Sequence, residues 1–190
     1  MRSLYLHGFA SAFDYENEKI RFIMSQSTLS PFSYNSCDEF YTNLEQMVAF
    51  VDKNEIDVVI GCSLGGFYAL EIAKRMPHVF ALALNPAYNP HETLAKYEGD
   101  NTNYTTGETE TLTLDAIQSY PKAGVATPKN AVVFVETGDE VIEPELSIEY
   151  FEADGSETPV VMCHGGSHRF ESLPKRWGTF ELMRTSYLTE

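Results

Sequence analysis

Short apolar runs alternate with segments of helical periodicity along most of the chain. Because polar residues do not alternate within these runs, they are typical of strands buried on both faces, as in parallel sheets. Five runs have the length of a strand: Ser3–Leu6, Asp57–Ile60, Val79–Leu84, Ala131–Val135 and Pro159–Met162. The weaker run Pro31–Asn35 is a candidate sixth strand.

Helical periodicity fills the intervals between the runs. Ser36 and Glu39 form a capping-box pattern before a helix that starts near Phe40, and Leu64–Met76 carries a second apolar stripe. Three further helices are predicted over Asp14–Gln26, Glu143–Ala153 and Ser172–Tyr187. Strands alternating with helices predict an α/β fold with about six mostly parallel strands and helices on both faces.

The segment 86–129 breaks this alternation. It contains no strand-like run, and its pattern predicts a helix over Pro90–Tyr97, an irregular loop and a short helix near Leu114–Tyr120. A segment of this length inside a compact domain is usually functional or mobile, so we expect a lid-like insertion. No repeat or domain boundary interrupts the chain, which predicts a single domain over residues 1–190.

The composition is that of a globular protein with a strong negative charge. Hydrophobic residues make up 43% and charged residues 22% of the chain, which excludes general disorder. With 13 Lys+Arg against 28 Asp+Glu, the net charge is −15. We therefore expect neither nucleic acid nor an anionic membrane as a partner. No apolar run approaches the ~20 residues that a membrane helix needs.

The N-terminus and the cysteines indicate a reducing compartment. The apolar segment Leu4–Leu6 is interrupted at once by His7 and Gly8, so no signal peptide is expected. Three cysteines are an odd number, and no CxxC pair occurs, which argues against a disulfide framework. The expected location is the cytoplasm.

The segment Gly61-Cys62-Ser63-Leu64-Gly65 is the strongest chemical signal in the sequence. It fits G-x-S-x-G and lies between a buried strand and a helix, which is the context of a nucleophile elbow. The turn is so sharp that small residues are needed two positions before and after the serine. We expect Ser63 to be the nucleophile and the amide of Leu64 to be one oxyanion donor.

A second oxyanion donor is expected after the first strand. In an α/β-hydrolase this donor is a backbone N–H near a His-Gly pair, and here His7-Gly8-Phe9 occupies that place. Gly8 allows a close turn past the nucleophile, and the amide of Phe9 or of Ala10 would face the substrate oxygen. We interpret His7 as a scaffold residue that bonds nearby loop backbone.

The acid and the base should follow in the chain order Ser, acid, His. Glu136, Asp139 and Glu140 stand after a predicted strand, and Asp139 is favoured because it follows Gly138 where the chain leaves the sheet. His164 and His168 follow the last strand. His168 is favoured because it comes after a Gly-Gly turn. A metal pair formed by the two histidines is disfavoured since no third ligand is near in sequence.

These motifs occur in an order that resembles the YqiA-like esterases, which are small bacterial α/β-hydrolases. The resemblance rests on Leu4-Tyr5-Leu6-His7-Gly8-Phe9, the elbow Gly61–Gly66, Asn85-Pro86-Ala87, Thr137-Gly138-Asp139-Glu140-Val141 and Gly165-Gly166-Ser167-His168-Arg169-Phe170. It implies a reduced hydrolase sheet without the first two strands of larger relatives. It also implies activity on short acyl esters and acyl-CoA thioesters, with Ser63, Asp139 and His168 as the triad.

The function expected from the sequence is a serine esterase that cleaves short-chain carboxylic esters through an acyl-enzyme. No cofactor and no metal are required, and the partner is a small-molecule ester or thioester; no motif indicates an oligomeric state. One alternative is an acyl-CoA thioesterase with the same triad. A second, from a different class, is a non-catalytic binding protein that retains only the hydrolase fold.

Overall fold

The computed structural model describes residues 1–122, 127–153 and 155–189. Its strands in chain order are β1 (Arg2–Leu6), β2 (Thr28–Ser30), β3 (Val58–Cys62), β4 (Phe80–Leu84), β5 (Gly99–Thr102), β6 (Thr109–Leu112), β7 (Ala131–Glu136) and β8 (Val160–Cys163). Six of them form one sheet in the order β2-β1-β3-β4-β7-β8, and every pair in it is parallel. The predicted α/β fold with a six-stranded sheet is confirmed.

Helices cover both faces of this sheet. They are α1 (Glu18–Gln26), α2 (Phe40–Lys53), α3 (Leu64–Arg75), α4 (Pro90–Thr93), α5 (Leu114–Ser119), α6 (Pro144–Phe151) and α7 (Leu173–Thr189). One buried apolar cluster joins the sheet to α2, α3 and α5, and a second joins its other face to α1 and α7. Within the described ranges no helix is long and apolar enough to cross a membrane.

The sixth strand is not the one that the sequence predicts. The strand next to β1 is Thr28–Ser30, which pairs Thr28 with Arg2, whereas Pro31–Asn35 is irregular. Proline has no N–H to donate to a strand ladder, so the pairing ends where Pro31 begins. Thr28 and Ser30 lie at the sheet edge and are not buried, which is why no apolar run marks this strand.

Two predicted helix starts are also corrected. The first helix begins at Glu18 rather than at Asp14, because Asn17 caps it by accepting bonds from the amides of Lys19 and Ile20. At α2 the predicted capping box is absent: Glu39 is the N-cap residue and makes no side-chain bond.

Ser119, and not Ser36, caps the start of α2. The Ser36 hydroxyl accepts a bond from the amide of Ala10, 2.8 Å away. The amide of Phe40 donates instead to the Ser119 hydroxyl at 2.7 Å, so a residue of α5 satisfies the helix N-terminus.

The segment 86–129 is more regular than predicted. In place of the single helix predicted over Pro90–Tyr97 it contains α4 and a 3-10 turn over Ala95–Tyr97, and α5 is the short helix predicted near Leu114–Tyr120. Between them β5 and β6 form an antiparallel hairpin in which Gly99 faces Leu112, so the predicted irregular loop is wrong. Residues 123–126 of this segment lie outside the described residues. That the segment acts as a lid stays a prediction.

Candidate active site

Ser63 lies in the sharp turn between β3 and α3. Its backbone angles are φ 57° and ψ −123°, a strained conformation that occurs at functional turns. A Cβ on Gly61 would lie 2.0 Å from the carbonyl oxygen of Gly65, and a Cβ on Gly65 would lie 2.1 Å from that of Leu6. Glycine is therefore required at both places, as the G-x-S-x-G pattern predicts.

Two further segments approach Ser63 closely. A Cβ built on Gly8 would lie 3.3 Å from the Ser63 Cβ, so the loop after β1 passes directly beside the serine. The amide of Ala87 donates to the Ser63 carbonyl at 3.0 Å, which holds the segment after β4 against the same turn. The serine is thus flanked by the ends of β1 and β4.

The amides of Leu64 and Phe9 are the available oxyanion donors. Leu64 begins α3, where the first N–H groups have no acceptor within the helix. Among the described residues, neither of these two amides has a protein acceptor. The alternative donor Ala10 is excluded, because its amide already donates to Ser36.

His7 is a scaffold residue, as expected. Its side chain is 3% exposed and stacks on the Tyr34 ring at 4.2 Å. Nε2 accepts a bond from the Tyr34 amide at 3.3 Å, so Nδ1 carries the proton and donates to the Gly8 carbonyl at 2.9 Å. Burial lowers the pKa of His7 to about 4, so the ring is neutral and fixes the loop that carries Gly8 and Phe9.

Asp139 and His168 form a close pair. The two carboxylate oxygens of Asp139 lie 2.9 and 2.8 Å from His168 Nδ1. Oδ1 also accepts the amides of Val141 and Ile142 at 2.8 and 2.9 Å, which fixes the carboxylate. This arrangement orients the imidazole and leaves Nε2 for a second partner. Of the three candidate acids, Asp139 is the one that contacts the histidine ring.

The other candidates occupy supporting or exposed positions. Glu136 is 1% exposed, and its Oε2 accepts the Ser167 amide at 2.8 Å. Glu140 accepts the backbone amide of His168 at 2.9 Å, and this bond lowers the pKa of its exposed carboxyl. His164 is exposed and does not line the cavity described below. In the described ranges no cluster of metal-ligating side chains occurs.

Asn85 is a site residue that sequence reasoning missed. Its amide nitrogen donates to the carbonyls of Ser167 and His168 at 2.9 and 3.3 Å. Its side-chain oxygen accepts the Glu136 amide at 2.7 Å. Asn85 has φ 42°, a left-handed conformation that asparagine tolerates better than most residues. Two signals were available in the sequence: the position of Asn85 directly after a buried strand, and the segment Asn85-Pro86-Ala87 in the resemblance to the YqiA-like esterases.

Ser63 and His168 line one open cavity of about 980 Å³ at the carboxyl edge of the sheet. Among the described residues no hydrogen bond joins their side chains; such bonds often form only when a substrate is bound. Phe9 and Leu64 line the same cavity. The structure therefore brings the candidate nucleophile, base and oxyanion donors to one space, with Asp139 directly behind the base.

The β5–β6 hairpin closes one side of this cavity. The Tyr104 amide donates to the Ala10 carbonyl at 2.7 Å, and the Asn103 side chain donates to the Ser11 carbonyl at 3.1 Å. The hairpin is thus bonded to the loop that carries Phe9. Its Tyr104 lines the cavity mouth.

Solved structures that superpose on this chain include a lipase and an esterase domain. Est1E from Butyrivibrio proteoclasticus superposes with a TM-score of 0.71 at 13% identity, covering 100% of this chain and 88% of that one. A monoacylglycerol lipase from Paleococcus ferrophilus gives 0.64 at 14% identity, with 98% and 92% covered. The esterase domain of a Rhodothermus marinus protein gives 0.60 at 16%, with 97% and 85% covered.

Because these identities are low, the superpositions establish the α/β-hydrolase fold alone. A family model provides the link in sequence. The model of the uncharacterised protein family UPF0227 matches residues 2–177.

Proposed function

This chain belongs to the uncharacterised protein family UPF0227, the YqiA-like family, and we propose that it is a serine carboxylester hydrolase. The observation that carries the proposal is the hydrogen-bonded pair Asp139–His168. His168 lines the same cavity as Ser63, which lies in a strained turn. The hydrolase and esterase structures with the same fold support it.

Catalysis would begin with attack of the Ser63 hydroxyl on the acyl carbon while His168 Nε2 takes the proton. The amides of Leu64 and Phe9 would stabilise the negative oxygen of the tetrahedral intermediate. His168 then protonates the leaving alcohol, and the acyl group stays on Ser63. Asp139 holds the imidazole in the tautomer with the proton on Nδ1 and stabilises its cationic form.

Deacylation repeats these steps with water. His168 accepts a proton from the water as it attacks the acyl-enzyme, and the free acid leaves as Ser63 is reprotonated. Each of these residues is supplied by this chain, and the proposed reaction requires no cofactor. Short-chain carboxylic esters are the proposed substrates, and the same site would also accept a thioester.

Labelling by a fluorophosphonate probe tests the proposal directly, because such probes react only with an activated serine. We expect labelling of the wild type at Ser63 and none in Ser63→Ala. The substitution should lower kcat for ester hydrolysis by ~10⁴–10⁶, since a triad acts as one unit. An unlabelled wild type without esterase activity would favour the non-catalytic binding protein. Activity of Ser63→Ala within tenfold of wild type would exclude the assigned nucleophile.

A further inference from the structure

The cavity beside Ser63 has two unlike parts. One part is lined by Phe9, Tyr88, Leu94, Tyr97 and Ile142, which pack into or against the apolar cluster on the α2–α3 face of the sheet. We call this part the aromatic lobe. The other part lies toward α1 and α7, on the opposite face.

The second part carries more charged side chains than the aromatic lobe does. Its lining includes Asp14, Glu18, Lys19, Arg169 and Glu171. Arg169 directly follows His168, so this side of the cavity lies next to the proposed base. His168 has to protonate the leaving alcohol, so the alcohol belongs on this polar side. The acyl group, which stays attached to Ser63, then points into the aromatic lobe.

The walls of the aromatic lobe are fixed to the reacting residues. Tyr88 follows Ala87, whose amide bonds the Ser63 carbonyl at 3.0 Å. Ile142 donates its amide to Asp139 at 2.9 Å. Because these walls begin directly at the triad, a ring in the lobe would be only a short linker away from the acyl carbon.

Aromatic side chains dominate the lobe. The rings of Phe9 and Tyr97 lie 5.2 Å apart with a tilt of 32°, and Tyr88 is held against Tyr150 at 5.4 Å. The rings of Phe9, Tyr97 and Tyr88 are only partly buried by the protein, so part of each faces the cavity. Ring pairs at such spacing attract each other beyond the area they bury. A flat aromatic ring gains this attraction, whereas a saturated ring of the same size does not.

The charges around the lobe select a neutral group. Glu140 and Glu143 line the cavity beside Ile142 and would repel an anionic acyl group. Among the described residues that line this side, the one cation is Lys96, which lies 5.0 Å above the Tyr97 ring, where the ring already attracts it.

From these contacts we propose that the aromatic lobe is an acyl subsite for a neutral aromatic ring, and that esters of arylalkanoic or arylalkenoic acids are preferred substrates. This inference rests on the proposed esterase function. It adds the chemical class of the acyl group.

Two methyl esters of equal carbon count test the subsite: 3-phenylpropanoate and 3-cyclohexylpropanoate. Methyl esters are used because an aromatic leaving group could itself occupy the lobe. We expect kcat/KM to be about tenfold higher for the phenyl ester, since ring–ring contacts add to simple burial. Methyl butyrate serves as the measure of esterase activity. Hydrolysis of butyrate with a phenyl-to-cyclohexyl ratio near one would overturn the subsite and leave the esterase intact.

A variant pair identifies the rings responsible. Tyr97→Leu keeps an apolar side chain but removes a ring, and the phenyl-to-cyclohexyl ratio should fall at least threefold. Tyr41→Leu is the matched control, because Tyr41 is an exposed ring on α2 that does not line the cavity. An equal fall in the control, or none in Tyr97→Leu, would contradict the assignment.

Binding tests the subsite even without turnover. Calorimetry with 3-phenylpropanamide and 3-cyclohexylpropanamide measures affinity for neutral analogues of the acyl group. We expect the phenyl amide to bind more tightly to wild type and to lose this advantage in Tyr97→Leu. Equal binding of the two amides would overturn the subsite, whereas tighter phenyl binding by a protein that cleaves no ester would support it and refute only the esterase.

Discussion

Substitution of Asn85 should lower both the stability of the protein and its kcat. This side chain is 1% exposed and joins the end of β7 to the loop that carries His168 through three hydrogen bonds. In Asn85→Ala the carbonyls of Ser167 and His168 lose a donor, and the Glu136 amide loses its acceptor. The loop that positions the base would then shift.

The size of the effect follows from these contacts. Three hydrogen bonds at a net ~1 kcal/mol each give about 3 kcal/mol. An alanine at φ 42° adds up to about 1 kcal/mol, because it lacks the short polar side chain that lets asparagine tolerate the left-handed region. The free energy of unfolding should therefore fall by about 4 kcal/mol, which corresponds to a decrease in Tm of roughly 8–16 °C for a domain of this size. Displacement of His168 by ~1 Å should lower kcat about 100-fold.

Asn130 offers a matched control at the opposite end of the sheet. It is 4% exposed, precedes β7, and donates its amide to the carbonyls of Val79, Ala73 and Met76 at 2.7, 2.9 and 3.4 Å. Asn130→Ala thus removes a comparable set of buried bonds without touching the site. It should lose about 3 kcal/mol of stability by the same count of bonds and retain kcat within threefold.

Urea unfolding gives the stability of each variant, and kcat and KM for methyl butyrate are measured at 15 °C, where circular dichroism shows each variant folded. Asn85→Gly adds a third comparison, since glycine removes the side chain without the strain at positive φ. It should recover about 1 kcal/mol over Asn85→Ala but none of the lost kcat. Equal kcat in Asn85→Ala and Asn130→Ala would refute the positioning role, and unchanged unfolding of both would refute the hydrogen-bond reasoning.

Three other experiments test different parts of the structure. Asp139→Asn should lower kcat by ~10⁴ by favouring the wrong tautomer of the base. Glu140→Gln keeps an acceptor for a backbone amide and should lower kcat less than tenfold. The reverse order would show that the acid is misassigned. Because the pKa of buried His7 is lowered to about 4, its proton binds preferentially to the unfolded chain between about pH 6.5 and 4. Wild type should therefore lose up to roughly 3 kcal/mol over that interval relative to His7→Asn. Exposed His164→Asn is the control, and parallel pH profiles of unfolding for wild type and His7→Asn would contradict the neutral ring. Acyl-CoA turnover should rise when ionic strength increases from 0.01 to 0.15 M, as the Debye length shrinks from ~30 to ~8 Å and screens the repulsion by the net charge of −15; a fall would indicate a basic CoA-binding patch.

The sequence determined the parts of the molecule that local sterics and burial decide. Five apolar runs became the strands β1, β3, β4, β7 and β8. In β3, β4 and β7 every residue is buried, and a strand covered on both faces is a nearly continuous apolar run. The nucleophile elbow could be recognised in the sequence because a turn this sharp admits only small residues at positions 61 and 65. The position of Asp139 after Gly138, where the chain leaves the sheet, also predicted that Asp139 rather than Glu136 would meet His168.

Only the tertiary structure decided the polar connections. The edge strand β2 and the hairpin β5–β6 are held by backbone bonds between largely polar residues, so no hydrophobic pattern marks them. Ser36 has the sequence context of a helix cap but bonds Ala10, which lies 26 residues away in the chain.

Glu136 shows most clearly that polar contacts between distant residues cannot be predicted from the local sequence. In sequence it is one of nine acids between positions 130 and 168 without a Lys or Arg among them, which favours a solvated acidic face. In the structure it is buried and holds the Ser167 amide, and Asn85 completes that support for His168. A polar side chain is stable in the interior only when its partners are brought to it from distant positions, and the local pattern does not contain those partners.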